Sequence, residues 1–464
     1  MSIDRRSFLR TAAGAGAFLG AQPKVRAQPN LPNIVFIIAD DLGYGDLGCY
    51  GSNIPTPNLD QMAAEGVRFT QYYSGSNICS PSRAALLTGR YATRVGVPYV
   101  LSTPSSASGL SLSETTVPQT MKAAGYSTMC VGKWHVGSQP QYLPTNRGFD
   151  GFFGIPYSSD MWPLPLMQNE RVIQEQASPD TLTQLFTQQA VGFINSSQGS
   201  PFFLYLAYST PHIPLMASAK FRGASKQGAY ADMVMELDSA VGAVLQALKD
   251  SGTDQNTLVM FSSDHGPWYQ GSTGGLRGRK AETWDGGMRV PFIARFPGQI
   301  QGGSVCGGLA TALDILPTVA RLVGAPLPGN PLDGTDIWPL LTGERQTLDR
   351  DVLLYFDGWN LQCARLGQWK LHMARNNNPA WSPAPVGGAM NLQLPSPELY
   401  NLIVDPGESS DCAADHPDIV AAIRGRVALL LPTFPADVQN AWRSTVLLPV
   451  VYTPTGALPI KQGS

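Results

Sequence analysis

The chain is poor in charge. Only 14% of its 464 residues are Asp, Glu, Lys or Arg, against about 25% in an average soluble domain. Its 32 basic and 34 acidic residues nearly cancel, leaving a formal −2. A nucleic-acid binder that works through a basic stripe is excluded by that balance. With 43% hydrophobic residues and so small a net charge, a disordered chain is excluded as well. Gly (48) and Pro (38) are plentiful but follow no strict period, which rules out a collagen-like rod. Cysteine is scarce: six residues, none in a Cys-x-x-Cys pair, so a thiolate zinc cluster is not expected. In an oxidising compartment Cys363 and Cys412 could pair. No apolar run is long enough to cross a bilayer, and no internal repeat is present. The length allows one large domain with a smaller one, or about three small ones, with enough chain to bury a core.

What the sequence does contain begins with an export-type leader. Asp4-Arg5-Arg6-Ser7-Phe8-Leu9-Arg10 precedes an apolar run, Thr11 to Ala21, then Lys24 and Val25-Arg26-Ala27. Basic, apolar and small-residue segments in that order make a signal peptide, and the arginine pair resembles a twin-arginine address. Residues 1–27 are therefore expected to be removed, with the twin-arginine translocase as a partner and a periplasmic or secreted product. Losing Arg5, Arg6, Arg10, Lys24 and Arg26 with Asp4 takes the formal charge from −2 to −6.

Next come strands that end in polar clusters. Asn33 to Ala39 is a continuous apolar, β-branched run, expected as a buried parallel strand that ends in Asp40-Asp41. Thr56-Pro57 opens a helix through Ala64. Pro81 to Leu87 reads as a helix whose N-terminus faces Cys79, and Pro118 to Ala124 as another. Ser127 to Val131 is a strand leading to Lys133 and His135, and Phe202 to Tyr208 one leading to His212. Apolar residues at helical spacing fill Tyr230 to Lys249, and the strand Thr257 to Phe261 ends in Asp264-His265. Alternating strands and helices imply a mostly parallel sheet with helices on both faces. Polar groups at the carboxyl ends of four strands stand where open α/β sheets bind ligands.

After Asp351 the texture changes. Val352 to Phe356 and Trp369 to Met373 read as antiparallel strands, Asn376 to Pro397 as a loop, Glu398 to Leu402 as a short strand and Pro417 to Leu431 as a helix. The expected organisation is a signal at 1–27, an α/β catalytic domain at 28–350 and a smaller α+β domain at 351–464. Ser102 to Ser113 reads as an exposed loop.

Chemistry narrows the function. Asp40, Asp41, Asp264 and His265 offer carboxylates and an imidazole to a divalent cation; Ca²⁺ or Mg²⁺ fits, and the His leaves Mn²⁺ or Zn²⁺ open. Arg83, Lys133 and Lys280 add a surplus of positive charge suited to a sulfate or phosphate ester. Cys79, at a helix N-terminus beside Arg83, is a candidate nucleophile. These residues describe a metal-dependent hydrolase of anionic esters.

The run Cys79-Ser80-Pro81-Ser82-Arg83-Ala84-Ala85-Leu86-Leu87-Thr88-Gly89-Arg90 resembles the sulfatase signature in full. Gly132-Lys133-Trp134-His135-Val136-Gly137 is similar to the second signature of that family, and Ile155-Pro156-Tyr157-Ser158 to a stretch of arylsulfatase A and its relatives. Leu399-Tyr400-Asn401-Leu402 with Asp405-Pro406 resembles a segment of sulfatase C-terminal domains. The likeness extends over Asn33 to Pro417 and is to type I sulfatases of the alkaline phosphatase superfamily.

The resemblance implies an alkaline-phosphatase-like fold and sulfate monoester hydrolysis. It implies that Cys79 is oxidised to Cα-formylglycine by a maturation enzyme reading Pro81 and Arg83, and that the aldehyde hydrate attacks sulfur. Asp40, Asp41, Asp264, His265 and the modified Cys79 would bind Ca²⁺, although many relatives have Asn at the position of His265. Arg83 and His135 would hold the hydrate, Lys133 and Lys280 the sulfate, and His212 would serve the leaving oxygen. Ser158 would support His135 or the sulfate. The substrate would be a small-molecule or saccharide sulfate, with no membrane bound by the mature form. Two other readings share these residues: a phosphonate monoester or phosphodiester hydrolase, and a non-catalytic binder of sulfated ligands with Cys79 unmodified. Substrate choice would rest on loops Tyr99 to Ser113, Pro140 to Trp162 and Asn376 to Leu394.

Overall fold

In the computed structural model the described residues are 31–102, 106–197, 199–377 and 390–447. The expected signal, part of the Ser-rich loop and most of the Pro/Gly/Asn-rich stretch lie outside them.

β1 (Asn33–Ala39) is wholly buried because it runs through the middle of a ten-stranded sheet. β2 (Val67–Phe69) belongs to that sheet, while β3 (Tyr72–Tyr73) pairs elsewhere. β4 (Ser127–Lys133), β5 (Gly151–Ile155), β6 (Leu166–Gln168) and β7 (Arg171–Gln174) form one half. β8 (Phe202–Ala207), β9 (Thr257–Ser263), β10 (Phe292–Arg295) and β11 (Ser304–Cys306) supply the rest. The order is β11-β2-β10-β9-β1-β8-β4-β5-β6-β7. The central block β9-β1-β8-β4-β5 is parallel, and β10, β6 and β7 add antiparallel pairs at its flanks. β12 (Ala310–Thr311) pairs with β3 in a separate two-stranded sheet.

Register sets the site. Ala39 is level with Ser263, and Ile38 and Gly132 are both level with Ala207. Four parallel strands therefore finish together, and the residues that follow them crowd one edge. Gly132 has φ +109°, and a Cβ on it would lie 1.8 Å from Ala207 O. Only glycine allows the strands to close just before Lys133.

Of the helices, α1 (Pro57–Ala64), α2 (Cys79–Thr88) and α3 (Val117–Ala123) match the sequence reading closely. α4 (Pro179–Ser196) was not expected; its Thr and Gln content hid Leu182, Phe186, Ala190 and Ile194, spaced four apart on the buried side. α5 (Ala229–Asp250) packs with α4 and α1 over the sheet face that bears Val35, Ile37 and Ala39. On the other face Phe36 stacks on Tyr205, and α3 lies on β4 beside α2. The remaining helices are α6 (Asp285–Met288), α7 (Ile315–Val323), α8 (Trp338–Leu341), α9 (Pro417–Leu430) and α10 (Ala436–Leu447). No described helix is long and apolar enough to cross a membrane.

β13 (Leu353–Asp357), β14 (Asn360–Leu366), β15 (Trp369–Asn376) and β16 (Asn391–Asn401) form an antiparallel sheet in chain order. Two features correct the sequence reading. β14 is buried on both faces, with Gln362 and Arg365 hydrogen-bonded inside, so no alternation marks it. β16 runs through residues expected as loop; it is an edge strand, and Pro395 and Pro397 fall where its pairing jumps from Gln393 to Glu398. Cys363 and Cys412 are not bonded to each other: Cys363 contacts His372 and Thr283, and Cys412 donates to Leu399 O. A second core joins this sheet and α9 to Tyr73, Ala85, Tyr91, Met288 and Leu313.

Candidate active site

The eleven residues singled out from sequence meet at the sheet's carboxyl edge. β1 delivers Asp40 and then Asp41, which has φ +66° and turns the chain sharply. β9 delivers Asp264 and His265. Asp41 N donates to Asp264 Oδ1 at 3.2 Å, joining the two ends. Cys79 is the first residue of α2 and only 3% exposed.

Arg83, one turn along α2, donates from Nε and Nη2 to Asp264 Oδ2 at 3.1 and 2.9 Å. Its Nη1 reaches Lys133 O at 3.0 Å, and Nη2 lies 3.3 Å from Asp40 Oδ1. Lys133 Nζ donates to Asp40 Oδ2 at 2.6 Å and to Ser158 Oγ at 3.1 Å. Lys280 Nζ reaches both Asp41 oxygens at 2.8 Å and donates to His212 Nε2 at 3.0 Å. His265 donates from Nδ1 to Gly266 O at 2.9 Å, which turns Nε2 toward Cys79 Sγ at 3.2 Å and Asp41 Oδ1 at 3.4 Å. His135, at φ +60°, is buried beside Lys133, Arg83, Asp40 and His212. Neither of its ring nitrogens has a partner among the described residues.

Burial by itself would raise the Asp40 pKa, but Lys133, His212 and Arg83 overcome it and hold the carboxyl well below the usual range. Asp41 is lowered against the same penalty by His212, Lys280 and His265. The cations answer: burial opposes the charge on Lys133, Arg83 and Lys280, yet the facing acids raise all three. Burial, with Lys133 and Arg83, keeps His135 neutral, well below its ordinary value. His265 goes the other way, to about 9, because Asp264, Cys79 and Asp41 outweigh its burial.

The donor set fits a divalent cation. One ligand atom each from Asp40, Asp41, Cys79 and His265 lie within 4.8 Å of one another, and Asp40 Oδ1 accepts no hydrogen bond from the described residues. Asp40, Asp41 and Asp264 balance Arg83, Lys133 and Lys280 in formal charge, so a bound divalent ion would leave the site positive. Carboxylates suit a hard ion, and one imidazole widens the choice.

Two supporting groups escaped the sequence reading. Asp46 accepts from Gly43 N, Ser272 N and Tyr230 OH at 2.7, 2.8 and 2.6 Å, pinning the turn after Asp41. Burial pushes its carboxyl up. Glu408, at φ +50°, accepts from Asp285 N at 2.6 Å, and Arg277 reaches its carbonyl at 2.8 Å. Both contacts fasten the segment that bears Lys280. The Asp405-Pro406-Gly407-Glu408 turn was the available signal for it.

Buried cations around an oxygen-rich metal-type cluster, at the carboxyl edge of an α/β sheet, define a hydrolase of anionic esters. The chain belongs to the sulfatase family, whose sequence profile matches residues 32–325. It is therefore a sulfuric ester hydrolase. It is 39% identical to human (Homo sapiens) arylsulfatase A over 91% of this chain and 90% of that protein. Identity to the mouse (Mus musculus) N-acetylgalactosamine-6-sulfatase is 39%, over 74% of this chain and 72% of the relative. Among solved structures, the PsFucS1 sulfatase from Pseudoalteromonas sp. superposes with a TM-score of 0.78 at 29% identity, covering 88% of this chain and 92% of that one. Ps i-CgsB in complex with k-i-k-neocarrahexaose gives 0.77 at 29%, covering 90% and 98%.

Proposed function

We propose that the chain hydrolyses a saccharide or aryl sulfate using Cys79 as formylglycine, with Asp40, Asp41, Asp264 and His265 holding Ca²⁺ beside it. The observation that supports this most is the placing of Cys79: the start of a buried helix, 3.2 Å from His265 Nε2 and in one cluster with Asp40 and Asp41. When present, the cation supplies Lewis acidity and the formylglycine hydrate supplies the attacking hydroxyl.

The chain's own groups do the rest. Lys133 and Lys280 neutralise the sulfuryl oxygens, and a low-dielectric setting strengthens that effect. Arg83 is fixed by Asp264 and Lys133 O, so it needs no reorganisation during reaction. His135, neutral and unpartnered, accepts a proton from the hydrate. His212 donates Nδ1–H to Ile213 O at 2.6 Å and accepts from Lys280 Nζ on Nε2 at 3.0 Å, and this Lys280–His212 pair serves the leaving oxygen. Ser158 holds Lys133 in place.

Mass spectrometry of the tryptic peptide Phe69–Arg83 tests this reading; cysteine there in protein from its native host would overturn it. Turnover of an aryl sulfate should exceed that of a phosphonate monoester, and the reverse would favour the phosphonate hydrolase. We infer further that residues 1–27 direct twin-arginine export to the periplasm. Fractionation of cells with Arg5 and Arg6 both changed to Lys tests this, retention inside the cell being the expected result.

A further inference from the structure

Beside the polar site lies a hollow of about 510 Å³, walled by residues 160, 162, 176–179, 213, 214 and 216. Two of its walls start on active-site residues. Asp160 follows Ser158 by two positions, and Ile213 directly follows His212. Ser159 Oγ donates to Ile213 O at 3.1 Å, locking those walls side by side. At roughly 3.6 Å of reach per residue, the hollow opens within about 10 Å of Ser158 and His212.

Its surface is mainly apolar where solvent reaches it. Trp162 is 64% exposed, Met216 40% and Ile213 36%. Three large apolar side chains left open together around a concavity mark a binding surface, and the volume is that of a small-molecule site. Among the described residues Asp160 is the one ionisable group on its lining, and no Lys or Arg joins it. A second sulfate or a carboxylate on the bound alcohol would face Asp160 without a cation to pair with it. An indole face with aliphatic neighbours suits the flat or axial face of a ring.

We propose that this hollow is the leaving-group subsite and that it takes an uncharged ring, a neutral sugar or an aryl group, stacked on Trp162. The proposal rests on the sulfatase reading above and extends it to the alcohol side. It assigns the enzyme to esters whose ring next to the scissile sulfate bears no further anion.

The test uses the metal-loaded, formylglycine-containing enzyme with 4-nitrophenyl sulfate as the neutral probe and 4-carboxyphenyl sulfate as the charged one. Inorganic sulfate serves as competitive inhibitor. Wild-type turnover with sulfate inhibition comes first, and its absence would overturn the underlying reading and this one with it. Given turnover, Trp162→Ala is expected to raise KM for 4-nitrophenyl sulfate about tenfold, with kcat and the sulfate inhibition constant nearly unchanged. Asp160→Lys is expected to shift the kcat/KM ratio toward the carboxyphenyl ester about tenfold. Comparing the ratio between enzymes cancels the different leaving abilities of the two phenols. An unmoved KM in Trp162→Ala, a parallel rise in the sulfate constant, or an unmoved ratio in Asp160→Lys would each overturn the proposal.

Discussion

The carboxyl of Glu408 and the imidazole of His372 meet at 2.6 Å in a space closed to water. Burial, reinforced by Asp285 and opposed by Lys370, pushes Glu408 up to about 7. Burial together with Lys370 and Arg375 holds His372 well below its ordinary value. The proton between them therefore belongs to Glu408, which donates to His372 Nε2. The relay continues through His372 Nδ1 to Cys363 Sγ at 3.2 Å, then to Thr283 Oγ1 at 3.4 Å and Gln362 Oε1 at 2.7 Å.

That arrangement predicts an unusual pH response. Between the ordinary values of 4.5 for Glu and 6.5 for His, the unfolded chain carries the proton on His372 and the folded chain on Glu408. Proton counts match, so the pair adds no slope to stability in that window. In Glu408→Gln only the buried neutral His372 remains. Unfolding then takes up one more proton, and stability should fall with falling pH by an extra ~1.4 kcal/mol per unit. Urea unfolding of variant and wild type across the window measures the difference; parallel curves would refute the proton assignment.

Cys79→Ala should reduce aryl sulfate turnover to background, since Cys79 is the one thiol in the described cluster. Only a small buried side chain is trimmed, so unfolding should shift by no more than about 1–2 kcal/mol. Residual turnover well above background in a folded variant would remove Cys79 from its assigned role.

Lys133 and Asp40 are both fully buried and 2.6 Å apart. Lys133→Ala leaves a buried carboxylate without its 2.6 Å partner, offset only in part by His212, Arg83 and Lys280, and the metal-free protein should lose about 3–5 kcal/mol. Asp40→Asn in the same chain should restore much of it, because the uncompensated charge is gone. Calorimetry of the single and double variants checks this, and an unchanged single variant would contradict it.

A chelator should lower the melting temperature and abolish turnover, with both restored by Ca²⁺. At a free ion concentration of 100 times Kd, binding is worth about 2.7 kcal/mol of stability. Asp40→Asn and His265→Ala should flatten that dependence. Wild-type melting that ignores the ion would exclude a metal in the cluster.

Most of this site was legible because its residues close strands, where apolar runs give way abruptly to Asp, Lys and His. Asp40, Asp264, Lys133 and His212 all stand at such strand ends, the signature around Cys79 adds Arg83, and Lys280 and Ser158 come from the spacing to Asp285-Gly286-Gly287 and from the Ile155–Ser158 stretch. Glu408 and His372 gave no comparable sign. Their partners lie across a contact between segments distant in sequence, with His372 36 positions from Glu408 and Lys370 85 from Asp285. Asp46 belongs to no motif, and its role comes from Ser272 and Tyr230, 226 and 184 positions away. β14 was hidden because Gln362 and Arg365, satisfied inside the fold, look in sequence like residues that face water, and α4 because its exposed Thr and Gln break up the apolar spacing.

The neighbours of β1 have a consequence for synthesis. Its partners β8 and β9 begin at Phe202 and Thr257, long after Cys79 has left the ribosome. Until then no pocket can form around that cysteine, and its segment is open chain. Under the formylglycine reading proposed above, an enzyme acting on the extended peptide would have that interval, which ends when Asp264 arrives to clamp Arg83. In the finished fold Cys79 is buried, so on that reading a chain still unmodified once folded is expected to stay inactive.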